Sequence, residues 1–514
     1  MSEIVNESLQ KIAKGTGIVF TGTIIGLFMG FVGRIVLVRY TTQSEYGIYC
    51  LAFTVVSIFV VISTLGLGEG STRYIACFKG KGEDGNARGV ISSSIKIALV
   101  ASVAIATISF FVSDFISVNI FHTPELSTVL KIFSIAIPFT VLINVFIAIF
   151  RGFGRVDTKV YFQDIVRPTL YILFLVTVVL SGLSFLGVVC AYVLSIAVTC
   201  VVFVVYMVKI SPLSIGWSGV TNPMTKKLLS FSVPLLAISM LMMVMSWTDT
   251  LMLGYFKTPD IVGLYNAALP LAHLLSMTLS SMSFIYIPII SQLYSKKLTN
   301  ELKRSYIILT KWIFLATLPI FFVLFLFPDV VLNLFFGSRY MGATVALQIL
   351  AFGSFLNICL GFTYNTLLVL GKSKFLMLTF VISAITNIIL NMILIPPMGI
   401  IGASIASAFS IIVAKILNMT ELYRFFEVHP FVKNYLKVTS MSVVFLFVFH
   451  ILRNLVTMSF WMFMALFLLF LISYGLSVLF AKSFEEEDIM ILLTIEKRLG
   501  MDLVSIKRFL KRFV

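Results

Sequence analysis

Charge is scarce in this chain. Of its 514 residues only 12% are Asp, Glu, Lys or Arg, and 59% are hydrophobic, whereas soluble domains carry about 25% charged residues. That balance excludes a soluble globular protein. Cysteine is equally sparse: Cys50, Cys77, Cys190, Cys200 and Cys359 show no paired spacing, so neither a disulfide framework nor a thiolate zinc site is indicated. His122, His273, His429 and His450 are scattered, with no His-Glu-x-x-His pair and no carboxylate cluster beside them; a metal centre is not expected. No Gly-x-x-x-x-Gly-Lys-Ser/Thr loop is present, and Gly66-Leu67-Gly68-Glu69-Gly70 has no second nucleotide motif to accompany it, which argues against ATP drive by this chain. The connections are too short for a soluble domain or for the loop scaffold of a Ser/His/Asp site. Transport is favoured over catalysis.

What the chain has in abundance is apolar sequence. Stretches long enough to cross a bilayer, about 20 residues each, recur at roughly 16–38, 46–67, 90–112, 128–150, 165–182, 186–208, 229–254, 262–290, 305–327, 343–370, 375–396, 399–419, 436–457 and 459–480. They predict an all-α polytopic membrane protein with fourteen transmembrane helices. The first stretch lacks a small-residue cleavage pattern and is read as retained rather than as a signal peptide.

The formal charge of +16 does not point to nucleic acid, because the basic residues are spread over alternate loops. One side holds Lys11 and Lys14, then Arg73, Lys79, Lys81 and Arg88, then Arg151, Arg155 and Lys159, then Lys209, Lys226 and Lys227. It continues with Lys296, Lys297, Lys303 and Arg304, then Lys372 and Lys374, then Lys415, Arg424, Lys433 and Lys437, and the tail. The other side has Arg39, Lys257, Arg339 and Arg453. Positive loops stay cytoplasmic, so both termini are expected there, in a multi-pass protein of the cell membrane.

The chain also repeats itself. Residues 186–198 match 401–413 in Gly, Ala, Ser, Ile and Val at a shift of 215. Under that shift Arg34 falls on Asp249 and Lys96 on Lys311, all four inside apolar stretches. Tyr40, Glu45, Gly47 and Tyr49 recur as Tyr255, Asp260, Gly263 and Tyr265, and Gly154-Arg155 as Gly371-Lys372, so the shift runs from 215 to 217. Each unit holds an even number of helices, which gives both the same orientation, as in transporter repeats related by an axis along the membrane normal. The expected organisation is a first lobe over 1–210 (helices 1–6), a second over 211–425 (helices 7–12), an appended pair over 426–482, and a cytoplasmic basic tail over 483–514. In the tail, Leu503, Ile506, Leu510 and Phe513 line one helical face and Lys507, Arg508, Lys511 and Arg512 the other, the pattern of a helix lying on the membrane.

Ionisable groups in hydrocarbon are costly and tend to be functional. Arg34 and Lys96 lie roughly 7–9 Å inside their helix ends at 1.5 Å per residue, and snorkelling to the headgroups is the alternative for both. Asp249 in Trp247-Thr248-Asp249-Thr250 is too short to snorkel and needs a partner or water. The expectation is that Arg34 and Asp249 face each other and close the external side. Lys96 and Lys311 are expected to attract an anionic headgroup, phosphate being the anion lysine suits as a point charge. An inside-negative membrane potential would favour outward movement of an anion through a cation-lined cavity, as in a uniporter; coupling to H+ or Na+ is expected to involve Asp249, and no cofactor is expected. Pro234 and Pro270 are hinge candidates, ordinary transmembrane proline usage being the alternative.

Six plus six plus two helices, a basic residue in the first helix followed by Glu45-Tyr46-Gly47, and Gly154-Arg155 after the fourth resemble the polysaccharide transporter family. That family includes the O-antigen flippase-like proteins of the multidrug/oligosaccharidyl-lipid/polysaccharide (MOP) exporter superfamily. Its turn after helix one commonly reads Leu-Gly-Pro-Glu, where this chain has Thr42-Gln43-Ser44-Glu45. The resemblance implies a MATE-like fold and export of a polyprenyl-(pyro)phosphate-linked oligosaccharide by alternating access, with the appended helix pair holding the lipid tail. It implies membrane lipids and glycan-assembly enzymes as partners. Arg34, Lys96, Asp249 and Lys311 become cavity residues, with Asn144, Asn387 and Asn391 as sugar-facing candidates; interhelical hydrogen bonding is the alternative for the asparagines. A cation-coupled multidrug exporter, a membrane glycan polymerase and an assembly scaffold stay open.

Overall fold

In hydrocarbon every backbone N–H and C=O must be bonded within the chain, and the architecture follows from that demand. The computed structural model describes residues 2–210, 223–427 and 468–475, and these contain helices and turns but no strand. Twelve of the helices are long and apolar enough to cross a membrane: α1 Thr21–Tyr40, α2 Gln43–Gly80, α3 Asp84–Ile120, α4 Glu125–Gly152, α5 Asp157–Leu180, α6 Phe185–Lys209, α7 Thr225–Phe256, α8 Pro259–Ser283, α9 Thr299–Leu326, α10 Ser338–Cys359, α11 Ser373–Met398 and α12 Ile400–Phe426. They correspond to the first twelve apolar stretches. The thirteenth and fourteenth stretches and the basic tail lie outside the described residues, apart from 468–475, which are helical.

Local chemistry sets the interruptions. α2 starts at a capping box in which Thr42 accepts from the Glu45 backbone N–H while the Glu45 carboxylate accepts from that of Thr42, so two orphan donors are satisfied reciprocally. Leu65 and Gly66, both at positive φ, turn the chain inside α2. In α5, Val160–Val166 winds as a π-helix. Pro168 follows in the first turn of the α-helical continuation, so its missing N–H falls where the winding changes from π to α.

By internal contacts the chain forms two units. The first comprises Met1–Pro270, Leu332–Ala346 and Phe380–Ser407; the second comprises Leu271–Val331, Leu347–Thr379 and Ala408–Val514. The boundary cuts through α8, α10, α11 and α12, so contact units and sequence repeats divide the chain differently.

Within the first unit, α2 and α8 cross at their N-terminal ends on Gly47 and Gly263. A Cβ on Gly47 would collide with the Pro259 carbonyl, and one on Gly263 with the carbonyl of Gln43; only hydrogen at both positions permits this approach. Two basic residues of the sparse side cap helix ends in the same unit. The Arg39 guanidinium donates to the Leu334 and Phe335 carbonyls, and Lys257 donates to that of Pro396 at 2.9 Å, as cations do at helix C-termini.

The second unit contains a break in the backbone at residues 360–362, between α10 and the short helix Thr363–Val369. Tyr306 from α9 donates to the Leu360 carbonyl at 2.8 Å, and Lys415 from α12 donates to that of Gly361 at 2.7 Å. The freed carbonyls are thereby satisfied without water.

Candidate functional site

Asp249 sits seven residues from the end of α7, 7% exposed, and four helices of the first unit meet on it. Tyr265 of α8 donates its hydroxyl to Oδ2 at 2.6 Å. Asn387 and Asn391, one turn apart on α11, donate their amide groups to Oδ1 at 3.0 and 2.6 Å, and Ser407 of α12 donates to Oδ2. Asn391 also donates to Asn387 Oδ1 at 3.1 Å, while its own Oδ1 is buried without a partner. Beside this group Thr250 donates to Asn266 Oδ1 at 3.2 Å. The donors around the carboxylate are all neutral, and no Lys or Arg pairs with it among the described residues. A carboxylate ringed by neutral donors and amide oxygens offers hard oxygen ligands, the set that suits a proton or a small hard cation.

Arg34 lies elsewhere in the same unit and makes no ion pair with Asp249. The external closure expected of that pair is therefore not present here: the carboxylate is held by side chains of its own repeat, whose short polar groups reach it directly. Gly33, next to Arg34 in sequence, brings α1 against α5, a Cβ there meeting the Tyr171 ring at 3.5 Å. Tyr171 belongs to an aromatic group. Tyr192 of α6 meets the rings of Tyr49, Phe53, Phe133 and Tyr171 at 5.1–5.9 Å. Arg167 of α5 donates to the Tyr192 hydroxyl at 2.7 Å and lies 5.6 Å from its ring centre, a cation–π distance.

The remaining candidates are dispersed. Lys96 is on an exposed face of α3, whereas its repeat equivalent Lys311 is buried in α9. Asn144 is exposed on α4 and joins neither polar group. Pro234 and Pro270 lie inside continuous helices. Lys415, counted from sequence with the cytoplasmic loop, is in fact buried within α12; the Gly361 carbonyl holds its ammonium inside the protein.

Sequence reasoning thus singled out Asp249, Asn387 and Asn391 but missed what joins them. Ser407 stood in the best repeat block and Tyr265 in the matched turn, and the signal for each was its alignment. Arg167 was visible as a lone basic residue near the start of an apolar stretch. An open apolar recess of about 480 Å³ adjoins the Asp249 helices, lined by Val55, Phe59, Ile116, Met252, Tyr255 and Met392 among others.

A family model described as polysaccharide biosynthesis protein matches residues 12–294, more than half of the chain. The chain belongs to this family. A second model, MatE, matches residues 234–393 of this family member. Among curated relatives it is 28% identical over 190 residues to an uncharacterized membrane protein of Methanocaldococcus jannaschii, a stretch covering 37% of each chain. It is 30% identical over 186 residues to the probable low-salt glycan biosynthesis flippase Agl15 of Haloferax volcanii, covering 36% of this chain and 39% of that one. The chain thus spans less than two fifths of the length of the curated relatives it matches. Among solved structures it is similar to the lipid II flippase MurJ in an inward closed conformation, with TM-score 0.71 and 16% identity over 93% of this chain and 99% of that one. It is also similar to an inward-facing multidrug resistance MATE family transporter of the MOP superfamily, with TM-score 0.68 and 17% identity over 78% and 94%. At such identities the likeness is one of fold. This family member is an all-α, multi-pass membrane protein of MATE-like architecture.

Proposed function

We propose that this protein is a flippase that carries a polyprenyl-(pyro)phosphate-linked oligosaccharide from the cytoplasmic to the outer leaflet of the cell membrane by alternating access. Both termini are cytoplasmic, and the chain carries out no covalent chemistry of its own. The observation that carries this reading is Arg34: a guanidinium inside an apolar helix, half buried and in no ion pair among the described residues, in a member of a polysaccharide biosynthesis family. Such a charge is expensive in hydrocarbon unless an anion or water meets it. The phosphate of a glycan lipid supplies one, with Lys96 and Lys311 as further cationic candidates. The relative named as a glycan biosynthesis flippase supports the substrate class. Membrane potential favours outward movement of an anion from a negative interior by about 2.3 kcal/mol per charge per 100 mV, and Asp249 is the coupling group for H+ or Na+. Isoprenoid chain remaining in the bilayer fits the apolar recess beside α7, and glycan-assembly enzymes are the partners that supply and consume the substrate.

A second reading, a cation-coupled multidrug exporter, is favoured by the MatE match over 234–393 and by the Asp249 group. Purified protein in liposomes with a fluorescent polyprenyl-pyrophosphate-linked sugar separates the two. Transbilayer movement that accelerates under an inside-negative potential is the expected result. Cation-driven efflux of a lipophilic dye with no movement of the glycan lipid would reverse the assignment.

A further inference from the structure

α2 and α7 come from different repeats, and at their basic ends they meet closely. A Cβ on Gly66 would collide with the Ser232 carbonyl, and one on Gly70 with the Ser232 hydroxyl, so the approach is as near as glycine allows. One turn further along α2, each helix lends a cation to a ring of the other. Arg73 of α2 lies 4.3 Å from the ring centre of Phe231 of α7. Lys227 of α7 lies 5.8 Å from that of Tyr74 of α2, and the two rings pack edge to face at 5.7 Å. Thr225, at the start of α7, donates to the Ser93 hydroxyl of α3 at 3.1 Å and ties down the same end.

The length of α2 sets the level of this group in the membrane. Arg73 is about 45 Å along the helix from Gln43 at 1.5 Å per residue, whereas the hydrocarbon core is about 30 Å thick. The two cations therefore stand among lipid headgroups, on the side that carries the basic loops. Both are exposed, and neither is in an ion pair among the described residues. Glu69, one turn before Arg73 on α2, is taken by Arg151 at 2.8 Å. The connection that leads into this end of α7, residues 210–222, contains no Asp or Glu. Two like charges are thus gathered on one aromatic pair with no carboxylate bound to either among the described residues. At headgroup level the anion at hand is the phosphodiester of an anionic lipid, which clustered cations attract, and tyrosine and phenylalanine suit the boundary between headgroup and acyl chain.

We infer that Arg73 and Lys227, mounted on the Tyr74–Phe231 ring pair, form a binding site for the phosphate of an anionic bilayer phospholipid, and that the bound lipid holds the basic ends of α2 and α7 together. The occupant is bulk lipid and not the transported glycan lipid, and neither cation belongs to the cavity candidates of the flippase reading. Because its halves come from different repeats, the site is whole only while α2 and α7 meet, and a lipid that binds this arrangement alone shifts the population toward it. Closure at this end then depends on lipid composition.

The test uses the full-length protein in phosphatidylcholine nanodiscs with rising fractions of phosphatidylglycerol, and reads amide hydrogen exchange over residues 67–80 and 225–232. In wild type, exchange in both segments is expected to slow as phosphatidylglycerol is added. In R73Q/K227Q the fraction that gives half of this protection is expected to rise about fivefold or more, since each cation at headgroup level is worth about fivefold. K81Q/R88Q removes two exposed cations from the same side and leaves the ring pair intact; it is expected to stay within about twofold of wild type. Wild-type protection in R73Q/K227Q overturns the site, and an equal loss in K81Q/R88Q overturns it too, because surface charge alone would then explain the effect. Inorganic phosphate added to pure phosphatidylcholine discs is expected to protect neither segment, and protection by phosphate alone rejects a lipid as the occupant. If R73Q/K227Q does not fold, R73Q decides: a rise of about threefold or more is expected, and no rise rejects the role. Glycan-lipid movement in pure phosphatidylcholine liposomes is expected to be the same in R73Q/K227Q and wild type, since the site is empty there. Wild type that moves no glycan lipid in any lipid composition refutes the flippase reading and leaves the lipid site to be decided by exchange.

Discussion

Gly47 and Gly263 lie backbone to backbone: a Cβ on Gly47 would come 3.0 Å from the Gly263 nitrogen, and one on Gly263 3.2 Å from the Gly47 nitrogen. The two residues occupy equivalent places in the sequence repeat, each early in the second helix of its unit, so the repeat is self-contacting at this crossing. Gly47→Ala forces a methyl group into the Pro259 carbonyl, and neither backbone can yield without moving a helix. A loss of about 3 kcal/mol, the upper part of the range for overpacking, is expected in a thermal melt. Gly30→Ala on α1 has no atom within 4 Å of the new carbon and is expected to gain about 0.5–1 kcal/mol from helix propensity. Equal melting temperatures for the two variants would contradict the crossing.

The Asp249 group predicts a graded response. Asp249→Asn keeps the shape but removes the charge, and turns one oxygen acceptor into a donor facing other donors. Coupling is expected to vanish, seen as transport that no longer responds to a Na+ or H+ gradient. Ser407→Ala removes one of the four donors and is expected to cost about 1.5–3 kcal/mol, the range for a hydrogen bond to a charged group, read as a lower melting temperature with the gradient response retained. A gradient response that survives Asp249→Asn would remove Asp249 from coupling.

Lys415 makes a prediction about burial. Lys415→Met keeps the volume and deletes a buried charge, whose removal offsets the orphaned Gly361 carbonyl; stability is expected to stay within about 1 kcal/mol. Lys415→Ala leaves both the orphan and a cavity, and a loss of about 2–4 kcal/mol is expected. An amine-reactive reagent should modify Lys372 or Lys374 in the folded protein before it modifies Lys415. Early labelling of Lys415 would place it at the surface instead.

Thr42 tests the start of α2. Thr42→Ala removes the hydroxyl that accepts from the Glu45 N–H, with an expected loss of about 1 kcal/mol and faster hydrogen exchange at the Glu45 amide. No change in that exchange would mean that the capping box contributes nothing to the first turn.

The placement of the membrane helices was legible in the sequence because hydropathy is a local property: a window of residues either avoids water or does not. The repeat was legible for a similar reason, since it is a comparison of letters at a fixed shift. It pointed to Arg34 and Asp249 as equivalents, and to Tyr265 and Ser407 as members of matched segments. The partners of Asp249 were not legible. Tyr265, Asn387, Asn391 and Ser407 come from 16, 138, 142 and 158 residues away, and no pattern within one helix tells which neighbour its polar face will meet.

Lys415 shows the same limit from the other side. Its neighbours in sequence place it near the end of an apolar stretch, where a lysine reads as part of a positive loop. Burial of its ammonium follows from the break at Gly361, a feature of a different helix. The sequence by itself therefore determined that this protein crosses the membrane many times, with a few charges inside its apolar stretches. Only the tertiary structure decided that Asp249 is held by neutral donors rather than by Arg34, and that Arg167 is tied to Tyr192. The physical reason is that entry into the membrane is set by the hydropathy of a residue's own segment, whereas the burial and pairing of a polar group are set by what the packing of other helices brings within about 3 Å.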